Sequence, residues 1–312
     1  MTRSRMWAIT CVFNPEGYRS RIRNYRVFRD RLDLPLLTVE LAWDAPFALG
    51  DGDAEILIQR LGGARLWQKE RLLNVAIQNL PAECTQVVWV DADIVFLEPR
   101  WAEMTQDLLE QVPMVQPFSL VRYLTPDRDV DRTRPSAASI FEKSRPNPGW
   151  LEPSLDRGPG SPAPGHAWAA RRRVLDEIGL LYDHCVIGGG DAAFLCALTG
   201  EVDAPIAMQG MGAPQARHYR EYAQKAYDPE RRRIGYIPGI IDHLWHGALE
   251  NRTGRERYYA LARAGFDPCE DLEAGANGAW YWKSDKPELH AFVRDYFARR
   301  AEDEGLRDAV PS

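Results

Sequence analysis

Apolar positions in the first hundred residues follow two patterns in turn, short continuous runs and longer stretches at helical spacing. Met6 to Phe13 is an apolar run of strand length, interrupted only by Thr10 and closed by the turn residues Asn14, Pro15, Glu16 and Gly17. From Tyr18 to Leu32 the residues Ile22, Tyr25 and Phe28 mark one face of an arginine-rich helix, and Leu34 to Leu41 predicts the next strand. Leu66, Leu73, Ile77 and Leu80 recur at steps of seven, four and three, which predicts an amphipathic helix ended by Pro81. Gln86 to Val90 is a fully buried strand that runs into Asp91, Ala92 and Asp93, and a second short run, Ile94 to Leu97, follows. Strand and helix signals in alternation predict an α/β fold, a mostly parallel sheet flanked by helices.

The pattern breaks between residues 123 and 165. Proline, arginine, serine and glycine dominate there, periodicity fades, and a long Pro/Arg-rich loop is expected. Such a loop is a lid, a binding loop or a surface excursion, and Trp150 within it offers a ring to stack on a sugar or base. Helical spacing returns over 171–178, 191–198, 215–227, 255–264 and 287–301, with a strand-like stretch from Ile240 to Trp245.

Composition narrows the class without changing this picture. At 312 residues, 45% hydrophobic and 27% charged, the chain suits one enlarged globular domain. A net charge of −6 gives no footprint for sequence-independent polyanion binding. The five cysteines are scattered, without zinc spacing, and suit free thiols in a reducing, cytoplasmic setting. The first apolar run is too short to insert in a membrane. Lysine occurs only at positions 69, 143, 225, 283 and 286, so nearly all basic charge is arginine.

Asp91 and Asp93 stand two apart at a strand end, so extended chain points both the same way and lets them converge on one hard cation, Mg²⁺ or Mn²⁺. The residues Val186-Ile-Gly-Gly-Gly-Asp191 open a helix, where glycines admit close backbone approach and Asp191 is placed as an N-cap or a catalytic carboxylate. In Ile241-Asp-His243-Leu-Trp-His246-Gly247 the histidines are three apart, so on a strand they face opposite sides and one at most reaches a metal. Asn14 ends the first strand, where open α/β sheets bind ligands, although Asn-Pro also begins an ordinary turn. The glycine-rich stretches lack the Lys-Ser/Thr of a phosphate-binding loop.

Together Lys69-Glu-Arg71-Leu-Leu-Asn74, Val88-Trp-Val-Asp-Ala-Asp-Ile-Val-Phe96, Gly165-His-Ala-Trp168-Ala-Ala-Arg171 and Gly188-Gly-Gly-Asp191 resemble, in order, the segments of GT-A glycosyltransferases, with a tail similar to bacterial and phage-type members. That resemblance implies a GT-A-like, Rossmann-like domain over 1–312. It comprises a nucleotide-sugar half at 1–120, the loop at 123–165, an acceptor half at 166–250 and C-terminal helices at 251–312. It implies that Asp93 binds the metal directly, that Asp91 bridges ribose and metal, and that Lys69 and Asn74 approach the nucleotide; Asn14 is a further nucleotide-binding candidate from its place at the end of the first strand. His246 completes the metal shell, with His243 as its substitute. Asp191 is the general base of an inverting transfer, and Trp168, Gly189 and Gly190 shape the sugar pocket. The expected activity moves a sugar from a UDP- or GDP-sugar, UDP favoured, to the hydroxyl of a glycan, protein or small molecule. One variant acts on a hydroxymethylated pyrimidine in DNA, with Arg122, Arg128, Arg132, Arg134 and Arg145 on phosphates. The alternative from another class is a sugar nucleotidyltransferase, which usually carries a glycine-rich loop where this chain has Asn14 to Gly17.

Overall fold

The computed structural model describes residues 5–44, 46–144, 150–151, 154, 158–230 and 233–306. Its first half is built of β1 (Met6–Phe13), α1 (Arg19–Asp30), β2 (Leu36–Ala42), β3 (Ile56–Leu61), α2 (Lys69–Gln78), β4 (Gln86–Val90), β5 (Ile94–Phe96), α3 (Trp101–Leu109), β6 (Met114–Gln116), β7 (Leu120–Leu124), β8 (Val130–Pro135) and α4 (Ala137–Ser144). The second half adds β9 (Ala167–Arg171), α5 (Arg172–Ile178), α6 (Gly190–Thr199), α7 (Asp203–Met208), α8 (Ala213–Ala226), β10 (Ile234–Tyr236) and β11 (Ile240–His243). It closes with α9 (Glu256–Arg263), α10 (Pro268–Asp271), β12 (Leu272–Ala274), β13 (Trp280–Trp282) and α11 (Pro287–Arg299).

The α/β class expected from the sequence is the class observed. Seven strands form the main sheet in the order β10-β6-β9-β4-β1-β2-β3, parallel except for β9, which runs against β4 and β6. Continuous apolar runs are needed here because both faces are covered: Ile9, Leu37, Val39, Val87 and Trp89 feed one core, while Met6, Ala8, Leu36, Val88 and Val90 feed the other. A smaller sheet, β5-β11-β7-β8, includes the strand that directly follows Asp93.

The long-loop expectation is corrected over its described part. Val130–Pro135 pairs antiparallel with Leu120–Leu124, Ala137–Ser144 is helical, and Ser136 bridges Ala163. β8 is an edge strand carrying Asp131, Arg132 and Arg134 and ending in proline, so it lacks the apolar alternation that marks a strand in sequence. Residues 145–149, including Arg145 and the Pro-Asn-Pro-Gly run, lie outside the described residues. Trp150 donates from Nε1 to Glu201 Oε1 at 2.5 Å and packs on Phe141, so its ring is spent on the fold and not on a binding cavity. The stretch after residue 250 is also not helical throughout, because β12 and β13 form a hairpin within it.

No helix is long and apolar enough to cross a membrane among the described residues.

Candidate active site

The strand order reverses between β1 and β4, and in an open α/β sheet that switch point is where ligands bind beyond the strand ends. Here the pairing of β1 with β4 stops at Ile9–Trp89 while both strands continue, and Thr10 Oγ1 donates to Val90 O at 2.6 Å across the widening gap. A cavity of 240 Å³ opens there, lined by Thr10 to Phe13 and Val90 to Asp93.

Three side chains converge at one end of it. β11 runs antiparallel to β5 with His243 opposite Ile94, which brings His243 beside Asp93. The strand ends at His243, and Leu244 N donates to Asp93 O at 2.8 Å. The chain then turns through Gly247 at φ 93°, where a Cβ would stand 2.8 Å from Arg300 O. That turn returns His246 to the same point, so the expectation that at most one histidine reaches the metal is corrected: the strand is shorter than the histidine spacing. The two Nε2 atoms are 3.0 Å apart, and His246 Nε2 is 3.3 Å from Asp93 Oδ2. Two donors at right angles on an ion with bonds of about 2.1 Å stand about 3.0 Å apart, so the imidazoles have the spacing of cis ligands. Asp93 Oδ1 is buried without a hydrogen-bond partner among the described residues. Burial, and then the Asp91 carboxylate, push the Asp93 carboxyl up to about 7. Burial and the Arg252 guanidinium lower His246 to about 3, so its ring is neutral and able to ligate a metal at neutral pH. These residues fit a divalent cation.

Asp91 is not part of this triad. Its Oδ1 meets Lys69 Nζ at 2.6 Å, and the same ammonium reaches Asp191 Oδ2 at 3.0 Å and Oδ1 at 3.2 Å. α2 and α6 thus meet the end of β4 through one buried lysine. Burial alone would depress Lys69; Asp191 and Asp91 more than offset it and hold the ammonium well above its usual range. Asp191 is raised by burial, with Lys69 opposing.

Next to Lys69 is Glu70, buried with Oε1 unpartnered among the described residues, and burial pushes its carboxyl up to about 8. A group raised from 4.5 favours the folded state in its neutral form, so its contribution is full below pH 4.5 and lost as pH rises towards 8. Glu70→Gln therefore flattens that part of the stability curve. Subtracting the variant's thermal midpoints from those of the wild type, both measured with chelator, is expected to give a difference that falls across this window; a level difference contradicts it.

Several residues singled out in the sequence do not reach the cavity. Asn14 closes its own turn, accepting from Tyr18 N at 2.9 Å and donating to Tyr18 O at 2.8 Å. Asn74 pins the 181–183 segment, exchanging hydrogen bonds with Leu181 N and O at 2.9 Å each. Trp168 is wholly buried, in register with Trp89 in the middle of the sheet, with Nε1 on Pro164 O at 2.7 Å. Gly190 packs on Glu70, where a side chain would collide with the carboxylate. Gly189 does line the cavity, at φ 100°, and a Cβ there would stand 2.7 Å from Tyr258 Oη.

Other lining residues were not expected from the sequence. His166, at φ 80°, sets Nε2 2.9 Å from Tyr123 Oη and Nδ1 3.9 Å from Asp91 Oδ2. Trp67 stacks on Phe297 and lies under the Arg300 guanidinium. Glu302, fully buried, is held by Arg21 at 2.6 Å and by Arg300, and its Oε1 lies 3.7 Å from His246 Nδ1. The nearer group to His246 Nδ1 is Arg252, whose Nη2 stands 2.9 Å from it. The tail is docked there by Asp303, whose oxygens accept from Arg19 N and Ser20 N at the start of α1.

No protein-family model matches the chain, and no curated protein matches it. Solved structures that resemble it include a mannosyltransferase from Pyrobaculum calidifontis in complex with GDP-Man and Mn²⁺ (14% identity, 99% of this chain and 77% of that one, TM-score 0.40). TarS of S. aureus is similar at 11% identity (98% and 75%, TM-score 0.39). A 4-diphosphocytidyl-2C-methyl-D-erythritol synthase from Anaerococcus prevotii is similar at 10% (75% and 86%, TM-score 0.33). These names span more than one reaction, so the choice between reactions falls to the chain's own side chains.

Proposed function

We propose that this chain is a metal-dependent glycosyltransferase of the GT-A type, which transfers a sugar from a UDP- or GDP-sugar to an acceptor hydroxyl with inversion. The observation that carries the reading is the Asp93–His243–His246 triad at the switch point of the sheet, in the same cavity as a lysine-bridged carboxylate pair.

In this reading Asp93, His243 and His246 hold Mn²⁺, with Glu302 buried behind His246. A cation bound there supplies positive charge to the diphosphate that leaves. Lys69 keeps Asp91 ionised towards the ribose side and positions Asp191. The acceptor oxygen forms a bond to the anomeric carbon as the bond from that carbon to phosphate oxygen breaks, and the hydroxyl proton passes to Asp191. A positioned base of this kind contributes roughly 10²–10⁴-fold.

The nucleotidyltransferase reading finds less support. The segment after β1 is a closed Asn14–Tyr18 turn, where a glycine-rich loop would be required to wrap phosphates. Nor do Arg122, Arg132 and Arg134 favour a DNA acceptor. Arg122 pairs with Asp242 at 2.6 Å and Arg132 with Asp131 at 2.5 Å, and Arg134 is buried on the carbonyls of Ser154, Ser161 and Pro162.

The test is a thermal-shift screen of UDP-, GDP- and TDP-sugars and of the free nucleoside triphosphates, each with and without Mn²⁺. A ligand bound only by the folded state raises the midpoint, by about 2.7 kcal/mol of stability at a hundredfold excess over Kd. One donor giving a shift that needs the metal is the expected result; a shift with nucleoside triphosphates alone contradicts it.

A further inference from the structure

Arg21, Arg134, Arg252, Arg257, Arg300 and Lys69 all line the cavity, and their charges are answered unequally. Lys69 lies between two aspartates, Arg21 and Arg300 share Glu302, Arg134 is spent on carbonyls, and Arg252 reaches the ring nitrogens of His246. Arg257 differs. It is 5% exposed, yet no carboxylate among the described residues pairs with it. Its Nη1 donates to Arg252 O and its Nη2 to Tyr258 Oη, each at 2.7 Å, while the buried Nε has no partner among the described residues. The rings of Tyr258 and Tyr296, 4.4 and 5.6 Å from its guanidinium carbon, offset the charge only in part. Arg300, itself stacked on Tyr296, adds like charge. A guanidinium this buried without a counter-ion is costly, and the cost is recovered when an anion arrives.

The position points to the substrate that carries the anion. Tyr258 Oη stands where a side chain on Gly189 would be, two residues before Asp191 on the same turn. Arg257 is therefore tied, through the hydroxyl it holds, to the turn that carries the proposed base.

We infer that Arg257, with Tyr258 and Tyr296, forms an oxyanion subsite in the cavity, and that the acceptor carries a phosphate or carboxylate which this subsite holds. That the anion belongs to the acceptor rests on the reading of Asp191 as base; the existence of the subsite does not.

Inorganic phosphate and acetate are titrated calorimetrically into the full chain with EDTA, and again with Mn²⁺ and saturating UDP or GDP. The wild type is expected to bind at least one anion in both conditions, and the tighter of the two names the group on the acceptor. Arg257→Gln is expected to weaken binding by at least about tenfold, as loss of a charge-assisted pair does. Arg173→Gln, at an exposed site, leaves it unchanged. Arg257→Lys keeps the charge but not the planar fork, and is expected to weaken binding several-fold, which carries the test should the glutamine variant fail to fold. Asp93→Asn is expected to lose Mn²⁺ and keep the anion, so the two readings fail separately. The inference is overturned if the wild type binds neither anion, if the Arg257 variants bind like wild type, or if a nucleoside diphosphate displaces the anion.

Discussion

Asp93→Asn is expected to abolish Mn²⁺ binding, lowering affinity by well over about 100-fold, and to remove sugar transfer with it. Losing a group that merely orients a ligand already costs about 10–100-fold, and Asp93 contributes the one anionic donor of the triad. The pH dependence has a definite sign. Asp93 titrates near 7 in the metal-free fold, whereas the histidines are depressed by burial and already neutral there. Metal binding must then expel one proton below pH 7 and none well above it, so affinity rises with pH up to about 7 and levels off. Calorimetry in buffers of different ionisation enthalpy counts that proton. A release of two protons near pH 6 would mean that a histidine is protonated in the free site, contradicting an order in which Asp93 alone titrates there. Stability without metal moves the other way, because a raised carboxyl favours the fold below its unfolded value of 3.8 and loses that contribution as pH rises through 7. Chelated protein is therefore expected to be less stable at pH 8 than at pH 5, and the metal to reverse this.

Asp191→Asn is the second large effect, and it separates binding from chemistry. The amide keeps the shape of the carboxylate and its place beside Gly165 and Lys69, so metal and donor affinities are expected to change by less than about threefold. It accepts no proton, so kcat is expected to fall by roughly 10²–10⁴-fold. Rapid-quench turnover alongside equilibrium donor binding reads both. A parallel loss of donor affinity would make Asp191 a donor contact, as a retaining enzyme would use it, and would withdraw its role as base.

How much of this was legible in the sequence depends on how each residue reaches the cavity. Asp91 and Asp93 could be read because a buried apolar strand ends on them, and a strand end in a parallel sheet is where ligands bind. Asp191 could be read from the glycines before it. The histidines were half legible: their spacing was visible, but not that β11 stops at His243 and that Gly247 folds His246 back. Asn14, Asn74 and Trp168 have the residue types of a binding site, yet they satisfy a turn, a loop backbone and the middle of the sheet. A sequence shows that such groups need partners without showing which partners they find. Glu302, Trp67 and Arg257 gave no local signal. Glu302 meets Arg21 across 281 positions only because Asp303 caps α1 and the tail docks there. The 130–135 strand was hidden by its polar edge.

The most direct measurement of the central claim is which bond the protein breaks. The chain, Mn²⁺ and the nucleotide-sugar that stabilises it are incubated with pyrophosphate, and the products are read by ³¹P NMR. The predicted result is slow hydrolysis between the anomeric carbon and phosphate oxygen, with water in the place of the acceptor, releasing free sugar and nucleoside diphosphate only when the metal is present. Formation of nucleoside triphosphate and sugar 1-phosphate, which requires cleavage between the two phosphorus atoms, would contradict it and make the protein a nucleotidyltransferase.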